Sequence, residues 1–98
     1  MDTIKIYAKE TPEYKRLEMV ANLLTTASPI GTIFRVEETY FDFGQNWKWT
    51  TICATHPKYG SYQALSPRDH EKILTSTNIF ETLGEVVNGK FWLDKEGR

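Results

Sequence analysis

Cys53, His56 and His70 come closest, in this 98-residue chain, to residue types with a chemistry of their own. They form a Cys-x2-His pair followed, after thirteen intervening residues, by a second histidine. A structural zinc site takes four such ligands, and a catalytic one takes three plus water, so Asp42 or Asp69 would have to complete the set. The same trio offers a thiol nucleophile with a histidine base. That chemistry needs a cation or a helix N-terminus beside the sulfur to hold a thiolate. Cys53 instead falls in the middle of an alternating, strand-like run, where a small buried thiol is ordinary. The expectation is an inert cysteine, no bound metal and no cofactor.

Carboxylates do no better. Glu37 and Glu38 are adjacent, so on a strand they point to opposite faces and cannot converge on one substrate. Glu38 and Asp42 share a face but sit about 13 Å apart along a strand, beyond the roughly 5–9.5 Å of paired glycosidase carboxylates. Glycines at 31, 44, 60, 84, 89 and 97 are scattered singly and build no phosphate-cradling loop. The chain is expected not to be an enzyme.

The remaining concentration of unusual residues is Thr39–Thr55, TYFDFGQNWKWTTICAT, in which five of seventeen residues are aromatic. A Gly44-Gln45-Asn46 break divides it into two β-prone runs, the pattern of a hairpin. Trp47, Trp49, Thr51 and Cys53 alternate with Lys48, Thr50, Ile52 and Ala54. The Trp row makes the better core face, so it is expected to point inward with Lys48 leading an outward row.

The other elements must position this hairpin. Residues 3–8 alternate loosely and suit a short edge strand, with Ile4 and Ile6 on one side and Lys5 and Lys9 discouraging stray pairing. Thr11-Pro12-Glu13 is a helix start: a capping hydroxyl, a proline at the first position and an acid near the positive end of the dipole. Tyr14, Leu17, Val20, Ala21 and Leu24 then mark one apolar face, and Ser28-Pro29 ends the helix. From Gly31 the period becomes two. The mixed faces of the strand that follows suggest a bulge near Glu37-Glu38. A turn at 56–60 leads into a third strand around Tyr62–Leu65, completing a meander. Ser66-Pro67-Arg68-Asp69 repeats the helix-start signal for about two turns, with Ile73 and Leu74 inward. Residues 79–93 fit either a second short helix or a hairpin turning at Asn88-Gly89.

The fold class expected is therefore α+β: an N-terminal strand and an amphipathic helix packed on an antiparallel three-strand meander (four strands with the N-terminal one), followed by one or two short helices. Residues 1–98 should form a single small domain, with 94–98 a flexible tail. One cysteine fits a reducing compartment. No signal-peptide pattern or membrane-length apolar run is present, so a cytoplasmic protein with no membrane partner is expected.

Twelve basic residues against thirteen acidic give a net charge of −1, which attracts neither nucleic acid nor anionic lipid. The order of helix, three strands and helix is similar to that of a double-stranded RNA-binding domain. The basic cluster that begins the last helix of that family has no counterpart in Arg68-Asp69-His70-Glu71-Lys72. The function expected is a non-catalytic binding or regulatory module that contacts another protein, or a second copy of itself, through sheet and loop aromatics. The contact residues would be Tyr40, Phe43, Trp47 and Lys48 at the hairpin tip, with Tyr59 and Tyr62 beside the second turn. The alternatives are nucleic-acid binding by the same aromatic face, helped by Arg35, Lys48, Lys58 and Arg68, and a small enzyme or metal site on Cys53, His56 and His70.

Overall fold

The structure is a computed structural model that describes residues 3–28, 30–42 and 46–77, with Phe41 and Asp42 described by backbone alone. The elements run β1 (Thr3–Lys5), α1 (Pro12–Ala27), β2 (Ile33–Asp42), β3 (Asn46–His56), β4 (Gly60–Gln63) and α2 (Pro67–Thr75). They form a small α+β fold around a mixed, mostly antiparallel four-strand sheet. Phe43, the centre of the hairpin turn and residues 79–93 lie outside the described residues, as does the 94–98 tail.

Both helices start where their caps place them. Thr11 Oγ1 accepts from the Tyr14 amide at 3.2 Å, and Ser66 Oγ accepts from the Asp69 amide at 3.2 Å. Each helix has a proline at its first position and an acid in its first turn, Glu13 and Asp69. Leu17, Val20, Ala21 and Leu24 of α1 are buried against Phe34, Ile52, Ala54, Ala64, Leu65 and Ile73. This is the core between α1 and one face of the sheet.

Arg16 joins the helices. Its guanidinium donates to Ser76 O at 2.8 Å and lies 3.3 and 3.4 Å from Ile73 O and Leu74 O, closing the carbonyl end of α2. A planar cation there meets both the terminal carbonyls and the negative end of the dipole. Replacing Arg16 by Met is expected to cost about 1–2 kcal/mol in urea unfolding, with Arg16→Lys recovering only part of the loss. Equal stability of the wild type and Arg16→Met would remove this role.

The sheet is built on β3. On one side β2 pairs with it antiparallel without interruption from Ile33↔Thr55 to Asp42↔Asn46. The register leaves no place for the bulge expected at Glu37-Glu38. On the other side two strands share one edge end to end: β1, parallel, along Trp47–Trp49, and β4, antiparallel, along Cys53–His56. The β3–β4 turn closes on Gly60 with φ +81°, where any other L-residue would be strained.

Facing corrects the expected alternation. Ile52 and Ala54 belong to the row that meets α1, so the Lys48 row is not outward as a whole; only Lys48, at its hairpin end, is exposed. Trp49, Thr51 and Cys53, on the opposite face, are buried as well. From Trp49 to Ala54, β3 is enclosed on both sides.

Candidate interaction surface

The residues with the most recognisable chemistry are held apart by the sheet. Cys53 and His56 are three positions apart on β3 and therefore face opposite sides. His70 is on α2. No group of three or more metal-ligating side chains forms among the described residues. Burial pushes the Cys53 thiol up, the nearby Glu37 adds to that, and Arg35 only partly opposes it. The sulfur is thus held as a thiol rather than as the nucleophilic thiolate.

Each histidine has a structural task. His56 Nδ1 accepts from the amides of Lys58 at 2.9 Å and Tyr59 at 3.1 Å, so the ring organises the turn that follows it. His70 fills the seam where β1 ends and β4 has not begun. Its Nε2 lies 2.8 Å from Thr50 O, and because a carbonyl only accepts, Nε2 carries the proton. Two neighbouring bonds complete the seam: Ala64 N–H to Ile52 O at 2.9 Å, and Tyr7 N–H to Thr50 Oγ1 at 3.0 Å. Burial lowers the His70 pKa and Lys5 lowers it further, while the bond to Thr50 and the charge of Glu71 pull the other way.

Of the six residues named as a contact surface, Phe43 lies outside the described residues and the other five separate into three places. Tyr40 and Lys48 are register partners on the helix-side face and both are exposed. Trp47 is on the other face, half-buried, edge-on to Trp49 with ring centroids 5.6 Å apart. Tyr59 and Tyr62 sit near the far end of β3, about 20–25 Å from Lys48 at the rise of an extended strand. Tyr59 is exposed, but Tyr62 packs against the core. The cations proposed for nucleic acid are also dispersed: Arg35 is paired with Glu37 at 2.6 Å on the face opposite Lys48, and Lys58 lies over its neighbour Tyr59.

Around Tyr40 and Lys48 the structure adds residues that the sequence reading had placed on one side of an edge strand but had not joined to the contact surface. Ile4 pairs with Lys48 on its other side, so Ile4, Lys48 and Tyr40 form one row across the sheet. Ile4 is 71% exposed and Tyr40 58% exposed. Ile6, also exposed, continues the patch into an open cleft of about 500 Å³. Its lining includes Ile6, Tyr7, Tyr14, Val36, Glu38 and Thr50. The α1 helix covers the β4 end of this face, and Ile4, Lys48 and Tyr40 at the hairpin end stay exposed. The alternation of Ile4 and Ile6 was the available signal, but alternation identifies a shared side without saying whether that side is covered.

Fold and surface together define a small α+β domain with a two-sided central strand and a half-covered sheet face. No known protein family, curated protein or solved structure matches the chain. Among the described residues no helix is long and apolar enough to cross a membrane.

Proposed function

We propose that this chain is a non-catalytic binding or regulatory module that contacts another protein through the bare hairpin end of its helix-side sheet face. A second copy of the chain counts as one version of that partner. The observation that carries the reading is the exposed Ile4–Lys48–Tyr40 row beside the Ile6 and Tyr14 cleft. It combines aliphatic area, an aromatic ring with a polar end and a flanking cation. Contiguous exposed apolar surface rimmed by polar groups is the usual form of a protein contact site, with tyrosine among its strongest contributors.

The test compares a double substitution in the patch with one outside it. Ile4→Glu with Tyr40→Glu is expected to weaken a partner captured by the wild type at least about tenfold, while Tyr59→Glu leaves capture unchanged. All three positions are exposed, so the variants should keep stability within about 1 kcal/mol of the wild type. Capture that survives the double substitution and is lost with Tyr59→Glu would move the surface to the other end of the sheet and defeat this reading.

A further inference from the structure

The backbone of β2 carries information that its side chains do not. Phe34 directs its N–H and C=O away from β3, and both lie against Thr25 Oγ1, at 2.8 Å for the amide and 3.1 Å for the carbonyl. Along an antiparallel strand this orientation recurs at every second residue, so Val36, Glu38 and Tyr40 also turn their backbone groups outward. The far side of β3 gives the same answer independently. Thr50 and Ile52, the register partners of Glu38 and Val36, present their carbonyls to His70 and Ala64 on the opposite edge. Among the described residues β2 pairs only with β3. Its outer edge from Val36 to Tyr40 is therefore a row of donors and acceptors at the spacing a further strand requires.

We infer that this edge accepts an extended segment of another protein as an added strand, and that the segment carries a lysine or arginine opposite Glu38 with apolar residues two positions to either side. The charge follows from Glu38, an exposed carboxylate that makes no ion pair among the described residues, whereas Glu37 on the other face is already bonded to Arg35. The apolar positions follow from Val36 and Tyr40, which share the face of Glu38, and from the cleft that Val36 and Glu38 line together with Ile6 and Tyr14. A second copy of β2 is a poorer occupant. Centring a two-fold on Glu38 opposes Glu38 to itself, and like charges directly opposite are destabilising; centring it on Glu37 or Thr39 sets Val36 or Tyr40, not a cation, opposite Glu38. Centring it on Val36 needs the backbone of Phe34, which Thr25 already occupies. This inference rests on the protein-binding reading above and specifies its partner.

The probe is a blocked heptapeptide in which threonine alternates with valine, lysine and valine, a pattern that reads the same from either end. Amide hydrogen exchange by NMR is followed with and without it. At a peptide concentration about ten times its Kd, exchange at Val36, Glu38 and Tyr40 should slow about tenfold, while Glu37 and Thr39, already in the ladder to β3, stay unchanged. Glu38→Pro removes one outward donor without touching the β2–β3 ladder and should weaken the peptide about tenfold. Glu38→Lys should weaken it about fivefold and favour the same peptide with glutamate in place of lysine. Unchanged exchange at the three amides in millimolar peptide, or equal binding by Glu38→Pro, would overturn the inference. Protection that rises with protein concentration alone would overturn it in favour of a second copy. Any of these could occur while capture still depended on Ile4 and Tyr40, which separates failure of the inference from failure of the protein-binding reading.

Discussion

Trp49→Ala is expected to remove about 3–5 kcal/mol of folding stability. Domains of this size hold only about 5–15 kcal/mol in total, so the variant should be largely unfolded at temperatures the wild type tolerates. The indole is fully buried at 0% exposure. Its Nε1–H donates to Thr39 Oγ1 at 2.8 Å, with Gln63 Oε1 3.2 Å away, so one ring ties β3 to both β2 and the β4 side. Trp49→Phe separates packing from hydrogen bonding: it retains a ring, loses the donor, and should fall between the wild type and Trp49→Ala in thermal or urea unfolding. A Trp49→Ala protein that unfolds with the wild-type midpoint would show that the indole bears little of the fold.

His70 has the second large expected effect, and pH gives it a signature that packing alone would not. Truncation to Ala removes a buried ring, 4.8 Å between centroids from Trp49, and takes the donor from Thr50 O. The expected loss is on the order of 3 kcal/mol, from the cavity and the carbonyl together. The wild-type imidazole is held neutral by burial, with a pKa lowered from the ordinary 6.5. Below pH 6.5 the unfolded chain takes up a proton that the folded chain resists. Stability contributed by the neutral ring is therefore complete above 6.5 and declines as pH falls toward the lowered folded value, beyond which the difference is constant. His70→Phe keeps an aromatic ring but cannot titrate. The stability difference between wild type and His70→Phe should shrink over that acid interval. A difference independent of pH from 7.5 to 4.5 would mean that His70 is not held neutral in the folded protein.

The helices were legible because their signals are local. Thr11-Pro12-Glu13 and Ser66-Pro67-Arg68-Asp69 each contain a cap, a preset backbone angle and a charge suited to the dipole, and both helices begin there. The β2–β3–β4 order was legible for the same reason, since short connections make neighbours in sequence neighbours in the sheet. The facing of β3 was not. Alternation separates two rows but ranks them only if one is wet, and Trp49, Thr51 and Cys53 on one side are as buried as Ile52 and Ala54 on the other. The assumption of a single buried face made the Lys48 row look outward.

The contact surface was partly legible. Tyr40 and Lys48 could be named from the hairpin, but Ile4 joins them only because β1 returns to pair with the start of β3, a contact that no local pattern announces. His70 entered the sequence reading only through the alternative of a ligand or base, because its type suggests reactivity. Its place in the seam exists only once β1 and β4 have both docked on one edge. The outward direction of the Val36, Glu38 and Tyr40 backbone groups follows from the Phe34–Thr25 bonds, which residue types do not encode.

Thr25 has a consequence for edge pairing. A long strand whose outer rim faces no other strand among the described residues can template pairing with another chain. Here the hydroxyl of Thr25 stoppers that rim at Phe34, and the adjacent acids Glu37 and Glu38 put a negative charge on each face of its middle. A second copy paired through this rim either needs the stoppered end, opposes Glu38 to itself, or leaves Glu38 without a cation. Threonine is a weak helix residue, yet near the end of α1 it serves as a one-atom substitute for a neighbouring strand. Its hydroxyl thereby closes one end of a sheet margin that would otherwise offer the Phe34 amide and carbonyl to another strand.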